Sequence, residues 1–260
     1  MSRLNETPAS SSVDADVPGV WIGEDRLLFE GPLDELEWHR HSFVCVLVGI
    51  EQEITLVTRD GDATGGVVLA PAGLDHRLCF SGGQVLSYYV APHEMSYAAL
   101  MQSSGGLGSV CESSGVWESA KRAWTQRRDP TPLASAVRET WEVEGAALDH
   151  RVLRIVKMLQ RGDGIREGMR WFAQVVGLSP SRVSHLVRRD TCGTLRELQR
   201  GYRFWHAARA MLDVRTFTEA AHASEFADAA HFSRAFRSAY GLAPSDILRA
   251  HTTWSRCDAL

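Results

Sequence analysis

Three histidines in the first third of this 260-residue chain have the type and spacing to do chemistry. His39 and His41 flank one arginine, so on a β-strand both would face the same side. His76 ends a P-x-G-x-x-H segment that begins at Pro71. Neutral imidazoles bind divalent transition metals, and they also form hydrogen bonds with small molecules. The sequence leaves both uses open, together with a third in which the rings only satisfy each other and the backbone.

A second set of candidate groups is basic and lies in the last third of the chain. Ser179 and Pro180 predict a helix start, because serine caps a first turn and the amide that proline lacks has no helical partner there. Arginine can bond guanine at two atoms, and serine or histidine can bond several acceptors. The outward face of this helix therefore indicates DNA contact, and a merely solvated face is the plainer alternative. Its members are Ser181, Arg182, Ser184, His185, Arg188 and Arg189.

A later helix has the same character and is predicted to begin after Asp228, which is placed to cap its first turn. Phe232 and Phe236 lie four residues apart and share one face, while Arg234 projects from another. Each of the two helices therefore has an apolar face that packs against the protein and a basic face that points outward. The residues that we expect to contact DNA are Ser181, Arg182, His185, Arg188, Asp228, Ala229, His231 and Arg234.

Each of these helices needs a partner helix that holds it at a fixed angle. Met169–Val176 is predicted to be the partner of the first, with Gly177 at the turn between them, as in a helix-turn-helix unit. Leu195–Leu212 is predicted to form one long helix between the two basic helices. Gly201 lies inside that helix and should cost about 1 kcal/mol relative to alanine.

Three short segments near the carboxyl terminus share their residue types and spacing with a known family. They are Phe226-Ala227-Asp228, His231-Phe232-Ser233-Arg234-Ala235-Phe236-Arg237 and Gly241-Leu242-Ala243-Pro244-Ser245. These segments resemble the signature of the AraC/XylS family of bacterial transcription regulators. The resemblance implies two helix-turn-helix units that enter successive major-groove segments, about one turn of DNA apart, and read a non-palindromic half-site. Glu225 stands where the family has the turn glycine, so a side chain must bear the strain of that turn.

The region from Trp21 to about Val90 has short apolar runs cut by Gly, Asp and Pro, which predicts an all-β sandwich or barrel. Within it, the three histidines resemble the two motifs of the cupin barrel, whose histidines point inward and can share a metal. Metal-binding cupins usually add a carboxylate soon after the second histidine, and here Glu51 and Glu53 come too late. We therefore expect His39, His41 and His76 to bind an effector, with no metal and no cofactor.

Charge divides the chain into two parts. Residues 1–150 carry 10 Lys and Arg against 22 Asp and Glu, whereas residues 151–260 carry 18 against 10. A basic half favours a phosphate-bearing partner such as DNA. The fold class expected is α+β, with a cupin-like β-barrel followed by helices and an all-α carboxyl-terminal domain with two helix-turn-helix units. The expected divisions are 1–18 as a disordered tail, 19–92 as the sensor, 93–149 as a helical dimerisation and linker region, and 150–252 as the DNA-binding domain.

The helical region after the sensor has aromatic residues at helical spacing, within predicted helices over Val116–Arg127 and Pro132–Glu144. By resemblance alone, Trp124 and Trp141 are candidates for a dimer contact. The five cysteines include no C-x-x-C pair, so neither a disulfide framework nor a zinc finger is indicated.

The sequence thus predicts a sequence-specific transcription regulator that binds double-stranded promoter DNA and a small-molecule effector. RNA polymerase is a possible further partner, and we expect a cytoplasmic monomer or homodimer with no membrane contact and no enzymatic activity. Two alternatives stay open. One is a cupin metalloenzyme that uses His39, His41 and His76. The other is a helical module that binds another protein through a tryptophan-rich surface.

Overall fold

The computed structural model describes residues 18–33, 35–80, 82–94, 97, 109–111, 115–141, 148–214, 216–247 and 252–257, without the side chains of 109–111 and Phe217. Residues 1–17 of the tail expected over 1–18 lie outside these ranges, and so do residues 95–96, 98–108, 112–114 and 142–147 of the helical region expected over 93–149. No described helix is long and apolar enough to cross a membrane.

In the part of the chain that the structure describes, the β domain has ten strands, nine from the first half of the chain and one from residues 253–256. They are β1 Gly19–Ile22, β2 Arg26–Pro32, β3 Val44–Gly49, β4 Ile54–Thr58, β5 Asp62–Gly65, β6 Val67–Ala70, β7 His76–Phe80, β8 Gln84–Val90, β9 Ser109–Cys111 and β10 Thr253–Arg256. The large sheet has the order β10-β1-β2-β8-β3-β6-β9, and the small sheet has the order β5-β4-β7. Short strands were predicted at the positions of β2 to β4 and β6 to β8, and the structure confirms them, whereas β5 was not predicted.

Strand β3 shows why the β domain is layered. All six of its residues are buried, so both of its faces are covered. Cys45 and Leu47 point into a core shared with the small sheet, while Val46 and Val48 point into a core shared with helices. The β domain is therefore a sandwich of two sheets with a helical layer on the outer face of the large sheet.

That helical layer consists of α1 Gly115–Arg127 and α2 Thr131–Trp141. Trp124 is fully buried, and its ring lies edge-on to the ring of Trp21, with 4.7 Å between the ring centroids. Trp141 is 6% exposed and lies in the same core. Both side chains pack inside their own chain, so neither presents the surface that a dimer contact would need. Among the described residues, Trp38 is the only large apolar side chain that is exposed.

The described residues of the carboxyl-terminal domain form seven helices. They are α3 His150–Arg161, α4 Met169–Val176, α5 Pro180–Thr191, α6 Leu195–Ala210, α7 Phe217–Ala223, α8 Ala229–Tyr240 and α9 Pro244–Ile247. Helix α6 contributes Tyr202 and Trp205 to a core with α3, α4 and α5, and it contributes Phe204 and Ala207 to a separate core with α7 and α8. One helix thus carries two packed units, as the resemblance implied.

The β domain packs directly against α6. The Phe43 ring lies edge-on to the rings of Tyr202 and Trp205, and the distances between ring centroids are 5.1 Å and 5.4 Å. A Cβ added at Gly201 would lie 2.7 Å from the Cβ of Ser42, so a larger residue would push the segment before β3 away. This close approach explains why a glycine occupies position 201, although glycine lowers the stability of a helix.

The end of the chain returns to the β domain, which the sequence did not predict. Strand β10 lies parallel to β1, with Thr253 opposite Gly19 and Arg256 opposite Ile22. The amide of Thr253 donates to the carbonyl of Pro18 at 2.9 Å, and the Trp254 side chain packs into the cluster around Val20. The chain therefore continues past residue 252, the predicted end of the DNA-binding domain, into a strand of the large sheet.

Candidate DNA-binding surface and ligand cavity

The first helix-turn-helix unit, α4 with α5, is built from the local signals that the sequence contains. Gly177 ends α4 in the left-handed region, with φ of 66°. Ser179 then caps α5 by accepting a hydrogen bond from the amide of Arg182, and Pro180 is its first residue. Val183, Leu186 and Val187 face the core, so the opposite face of α5 is left to solvent. On that face, Ser181, Arg182, His185 and Arg188 are exposed.

The second unit, α7 with α8, has the same plan with different chemistry at the turn. Glu225 has φ of 63°, which confirms that a side chain occupies the left-handed position expected for glycine. Its carboxylate pairs with Arg166 at 2.7 Å. Asp228 caps α8 by accepting from the amide of His231 at 2.6 Å. Phe232 is buried against Phe204 and Phe226, so α8 presents its polar side outward.

The exposed arginines on the two helices differ in how they are held. Arg182, Arg188 and Arg234 are exposed, and no described acidic group pairs with them. Arg237 instead forms an ion pair with Glu37 of the β domain, with 3.5 Å between Nη1 and Oε1. Unpaired guanidinium groups on a capped helix face are suited to phosphate and base contacts.

The other residues expected at DNA on α8 have local roles. The carboxylate of Asp228 is engaged as the helix cap, and Ala229 is exposed beside it. His231 is half-buried, and its ring packs edge-on against Phe226 at 5.7 Å.

An apolar cavity of about 90 Å³ lies between the β domain and the second unit. Strands supply residues such as Phe29, Leu47 and Tyr89, and α8 supplies Phe236 and Tyr240. Helix α6 adds Phe204, Trp205 and Ala208, and the carboxyl-terminal strand adds Trp254. None of the described residues that line the cavity is charged. The helix that carries Arg234 thus forms one wall of this cavity, and the β domain forms another.

The three histidines lie close together but do not line that cavity. All three are buried: His39 is 5% exposed, His41 is 3% exposed and His76 is 0% exposed. The ring centroids of His39 and His76 are 4.3 Å apart, and those of His41 and His76 are 4.8 Å apart. The sequence predicted that His39 and His41 lie on one strand. They lie instead in an irregular segment before β3, joined to His76 by an isolated bridge at His39.

Each histidine ring is oriented by its own backbone. Nδ1 of His39 donates to the Glu37 carbonyl at 2.8 Å, Nδ1 of His41 to the Phe43 carbonyl at 2.7 Å, and Nδ1 of His76 to the Leu74 carbonyl at 2.9 Å. One ring nitrogen of each histidine lies within 4.8 Å of the others.

Burial keeps these rings neutral. Desolvation lowers the pKa of His39 and lowers that of His41 well below its usual range. The same cause, reinforced by His39, lowers the pKa of His76 to about 3. Three neutral imidazoles, rather than three competing cations, therefore meet at this point.

Comparison with known proteins decides what this architecture is. A family model described as a helix-turn-helix domain matches residues 172–250, which contain both basic helices. Among solved structures, ToxT from Vibrio cholerae at 1.65 Å has a TM-score of 0.59 and 12% identity, covering 85% of this chain and 97% of ToxT. The chain carries an AraC-type DNA-binding domain.

Two further ToxT structures from Vibrio cholerae give the same result. ToxT of strain O395 has a TM-score of 0.59 and 13% identity, over 87% of this chain and 99% of that chain. ToxT of strain SCE256, solved with an unsaturated fatty acid bound, has a TM-score of 0.52 and 14% identity, over 85% and 94%. At these identities the likeness establishes the fold. No curated protein matches the sequence.

With its DNA-binding domain established, this chain is a DNA-binding transcription regulator of α+β fold, with the β domain amino-terminal to the two helix-turn-helix units. The sequence indicated both recognition helices and their caps. It did not indicate the apolar cavity, because the lining residues come from strands, from α6, from α8 and from the chain end. Each segment alone has the ordinary pattern of a core.

Proposed function

We propose that this regulator changes its DNA affinity when a neutral, apolar small molecule enters the cavity between the sensor and the second helix-turn-helix unit. The observation that carries the proposal is the shared wall, in which Phe236 and Tyr240 of α8 face Leu47 and Tyr89 of the sheet. A ligand in that position contacts the sensor and a DNA-reading helix at once. Effector binding and DNA binding are then coupled through one packed interface.

The chemistry of the lining defines the ligand class. The hydrogen-bonding side chains among the lining residues are those of Ser87, Tyr89, Trp205, Tyr240 and Trp254. A buried carboxylate without a cation is costly, so a charged head group does not fit inside. ToxT has been solved with an unsaturated fatty acid, and this cavity suits an apolar body of that kind with a neutral polar end.

The size of the cavity suggests how a ligand would act. An unfilled apolar cavity of about 90 Å³ costs about 2 kcal/mol in lost packing. Benzene occupies an engineered cavity of about 150 Å³, so a ligand of effector size must widen this one. Widening separates α8 from the sheet. The ligand then favours the state in which the second unit is free to reorient, and its effect is limited by its preference for that state.

On the DNA side, we assign base and phosphate contacts to α5 and α8. Arg182 and Arg188 of α5 and Arg234 of α8 are the leading candidates, since they are exposed and without a described acidic partner. Ser181, His185 and Ala229 lie on the same exposed faces. Asp228 and His231 are assigned to positioning, through the cap of α8 and the packing of Phe226.

The proposal also covers the domain boundaries, the oligomeric state, RNA polymerase and enzymatic activity. Residues 19–92 with β10 form the sensor, 93–149 the helical region and 150–252 the DNA-binding domain. A homodimer, if formed, uses a surface other than Trp124 and Trp141, because both are buried. RNA polymerase is proposed as a further partner. The burial of His39, His41 and His76 leaves little room for substrate turnover, which supports a regulator without enzymatic activity.

The test begins with selection of bound sequences from random DNA to obtain an operator. Operator affinity is then measured by fluorescence anisotropy with 1-decanol, decanoic acid and naphthalene. We expect the neutral compounds to change the affinity and decanoate at neutral pH to act more weakly. An equal effect of decanol and decanoate would contradict the neutral-ligand assignment.

A cavity-filling variant provides the matched test in the protein. Ala208→Leu adds volume at the cavity wall and should abolish the response to decanol while DNA binding is retained. Ala210→Leu, two residues along α6 and outside the cavity lining, is the control and should respond as the wild type does. If Ala208→Leu keeps the full response, the ligand binds elsewhere.

A further inference from the structure

Strand β10 joins the carboxyl-terminal side of the second helix-turn-helix unit to the edge of the β domain. It lies parallel to β1. The amide of Thr253 donates to the Pro18 carbonyl at 2.9 Å, and the amide of Cys257 donates to the Ile22 carbonyl at 3.1 Å. Both ends of this short segment are therefore bonded to the same edge strand.

The second unit leads directly into this strand. Helix α9 follows Gly241, the residue that ends α8. The Thr252 hydroxyl, directly before β10, donates to the Ile247 carbonyl at the end of α9, at 2.7 Å. The Ile247 and Trp254 side chains pack against the same apolar cluster, which includes Val20 of β1. The unit that contains α8 is thus held to β1 through α9 and β10.

The Trp254 side chain places β10 at the apolar cavity as well as at the edge of the sheet. It forms part of the cavity wall, together with Phe29 of β2 and Tyr240 of α8. A strand that only covered the edge of β1 would need no side chain at this position. A ligand that widens the cavity therefore contacts β10 as well as α8.

Strand β10 is held less firmly than the interior strands of the large sheet. None of its four residues is buried, whereas all six residues of β3 are. It lies at the edge of the sheet, so it has a neighbouring strand on one side only. An ion pair between Arg256 and Asp213, at 3.4 Å, is exposed at both side chains and adds little stability. Segments with few buried contacts open at a low cost in free energy, so β10 can leave the sheet while the β domain stays folded.

We propose that residues 252–257 form a detachable latch, and that their departure from β1 is the step that allows the second helix-turn-helix unit to reorient. The inference rests on the proposed function, because it names how a ligand in the cavity would free α8. The ligand displaces Trp254, the short ladder to β1 is lost, and α8 and α9 then move together. Because the second unit is joined to α6 before it and to β10 after it, loss of the ladder removes one of two constraints.

The other hydrogen bonds between α8 and the β domain fit this movement. The amide of Glu37 donates to the Gly241 carbonyl at 3.0 Å, and the amide of Arg40 donates to the Ser238 carbonyl at 3.3 Å. Both bonds lie at the carboxyl-terminal end of α8. They therefore allow the rest of the helix, including Arg234, to turn about that end once β10 has left the sheet.

The first experiment needs no ligand and compares two substitutions at one exposed position of the full-length protein. Thr253→Pro removes the amide that donates to Pro18, whereas Thr253→Ala keeps that amide. Footprint titrations on the selected operator measure the affinity at each sub-site. We expect Thr253→Pro to change the affinity at the sub-site read by α8 by about 5-fold, as the loss of one hydrogen bond implies, and Thr253→Ala to match the wild type. Equal affinities in the two variants, or equal changes at both sub-sites, would overturn the proposal.

The second experiment fixes the strand in place instead of weakening it. Ile22 and Arg256 lie opposite each other in the ladder, so Ile22→Cys with Arg256→Cys puts two thiols within reach of a disulfide. Cys257→Ser removes the neighbouring thiol, and mass spectrometry detects the crosslink. The same protein is then compared in its oxidised and reduced forms, with and without decanol. We expect the oxidised form to bind the operator but not to respond to decanol, and the reduced form to regain the response.

The outcomes of the two experiments separate the latch from the ligand. An equal response to decanol in the oxidised and reduced forms would overturn the latch. Failure of the two thiols to crosslink under oxidation would show that β10 does not lie on β1 in solution, which also overturns it. If the wild type does not respond to decanol, the proposed ligand is wrong, while the footprints of Thr253→Pro and Thr253→Ala still decide whether β10 controls the second unit.

Discussion

The two helix-turn-helix units share a plan and differ in how tightly each is built into the protein. The first has glycine at its turn and a core that extends through α3, α4, α5 and α6. The second has Glu225 at its turn and a smaller aromatic core around Phe204 and Phe232. One side of α8 also lines the sensor cavity. The comparison suggests that the first unit anchors the protein on DNA, while the second is the unit that a ligand can shift.

The strongest test of this difference removes the central side chain of the smaller core. Phe232→Ala should destabilise the second unit by about 3–5 kcal/mol, because it leaves a cavity among Phe204, Phe226 and Phe236. Footprinting should then show loss of protection at the second sub-site alone. Phe172→Ala, fully buried in the first core, is the matched variant and should affect the first sub-site. Equal loss at both sub-sites in both variants would mean that the units fold as one.

The arginines on the exposed faces give the next largest effect. Arg182→Ala and Arg234→Ala should each weaken operator binding by about 1–3 kcal/mol without changing stability. Anisotropy titrations check this, with Arg122→Ala, an exposed residue of α1, as the control. If the second unit is ligand-controlled, the effect of Arg234→Ala should also depend on decanol, whereas that of Arg182→Ala should not. Unchanged affinity in both arginine variants would show that other faces contact DNA.

The turns give the smallest effect and allow a reciprocal exchange. Glu225→Gly removes a side chain from a left-handed position and should stabilise the second unit by about 1 kcal/mol. The lost pair with Arg166 is exposed and offsets little of this gain. Gly177→Ala should destabilise the first unit by a similar amount, because Gly177 has φ of 66°. Denaturant unfolding measures both. Destabilisation by Glu225→Gly would show that the ion pair outweighs the backbone strain.

The parts of the fold that sequence predicted are those fixed by local chemistry. Ser179, Gly177 and Asp228 mark helix ends through side-chain caps and a left-handed glycine, and all three act as predicted. The strands β2 to β4 and β6 to β8 were likewise visible as short apolar runs, whereas β5, with the sequence DATG, was not. The reason is that capping and burial patterns involve neighbours in sequence.

The parts that sequence did not predict depend on long-range contacts. Strand β10 pairs with β1 across most of the chain, and nothing in Thr253–Arg256 names its partner. Trp124 and Trp141 have helical spacing that suits a core and an interface equally well, and only the sheet beneath them decides. The role of Gly201 is visible only once Ser42 is placed against it.

We propose that a ligand between the β domain and α8 controls the DNA contacts of the second unit separately from those of the first. The most direct measurement is a hydroxyl-radical footprint of the wild-type protein on its selected operator, with and without decanol. We expect protection at the sub-site read by α8 to change while protection at the sub-site read by α5 stays constant. Equal changes at both sub-sites, or no change at either when decanol is shown to bind, would contradict the account.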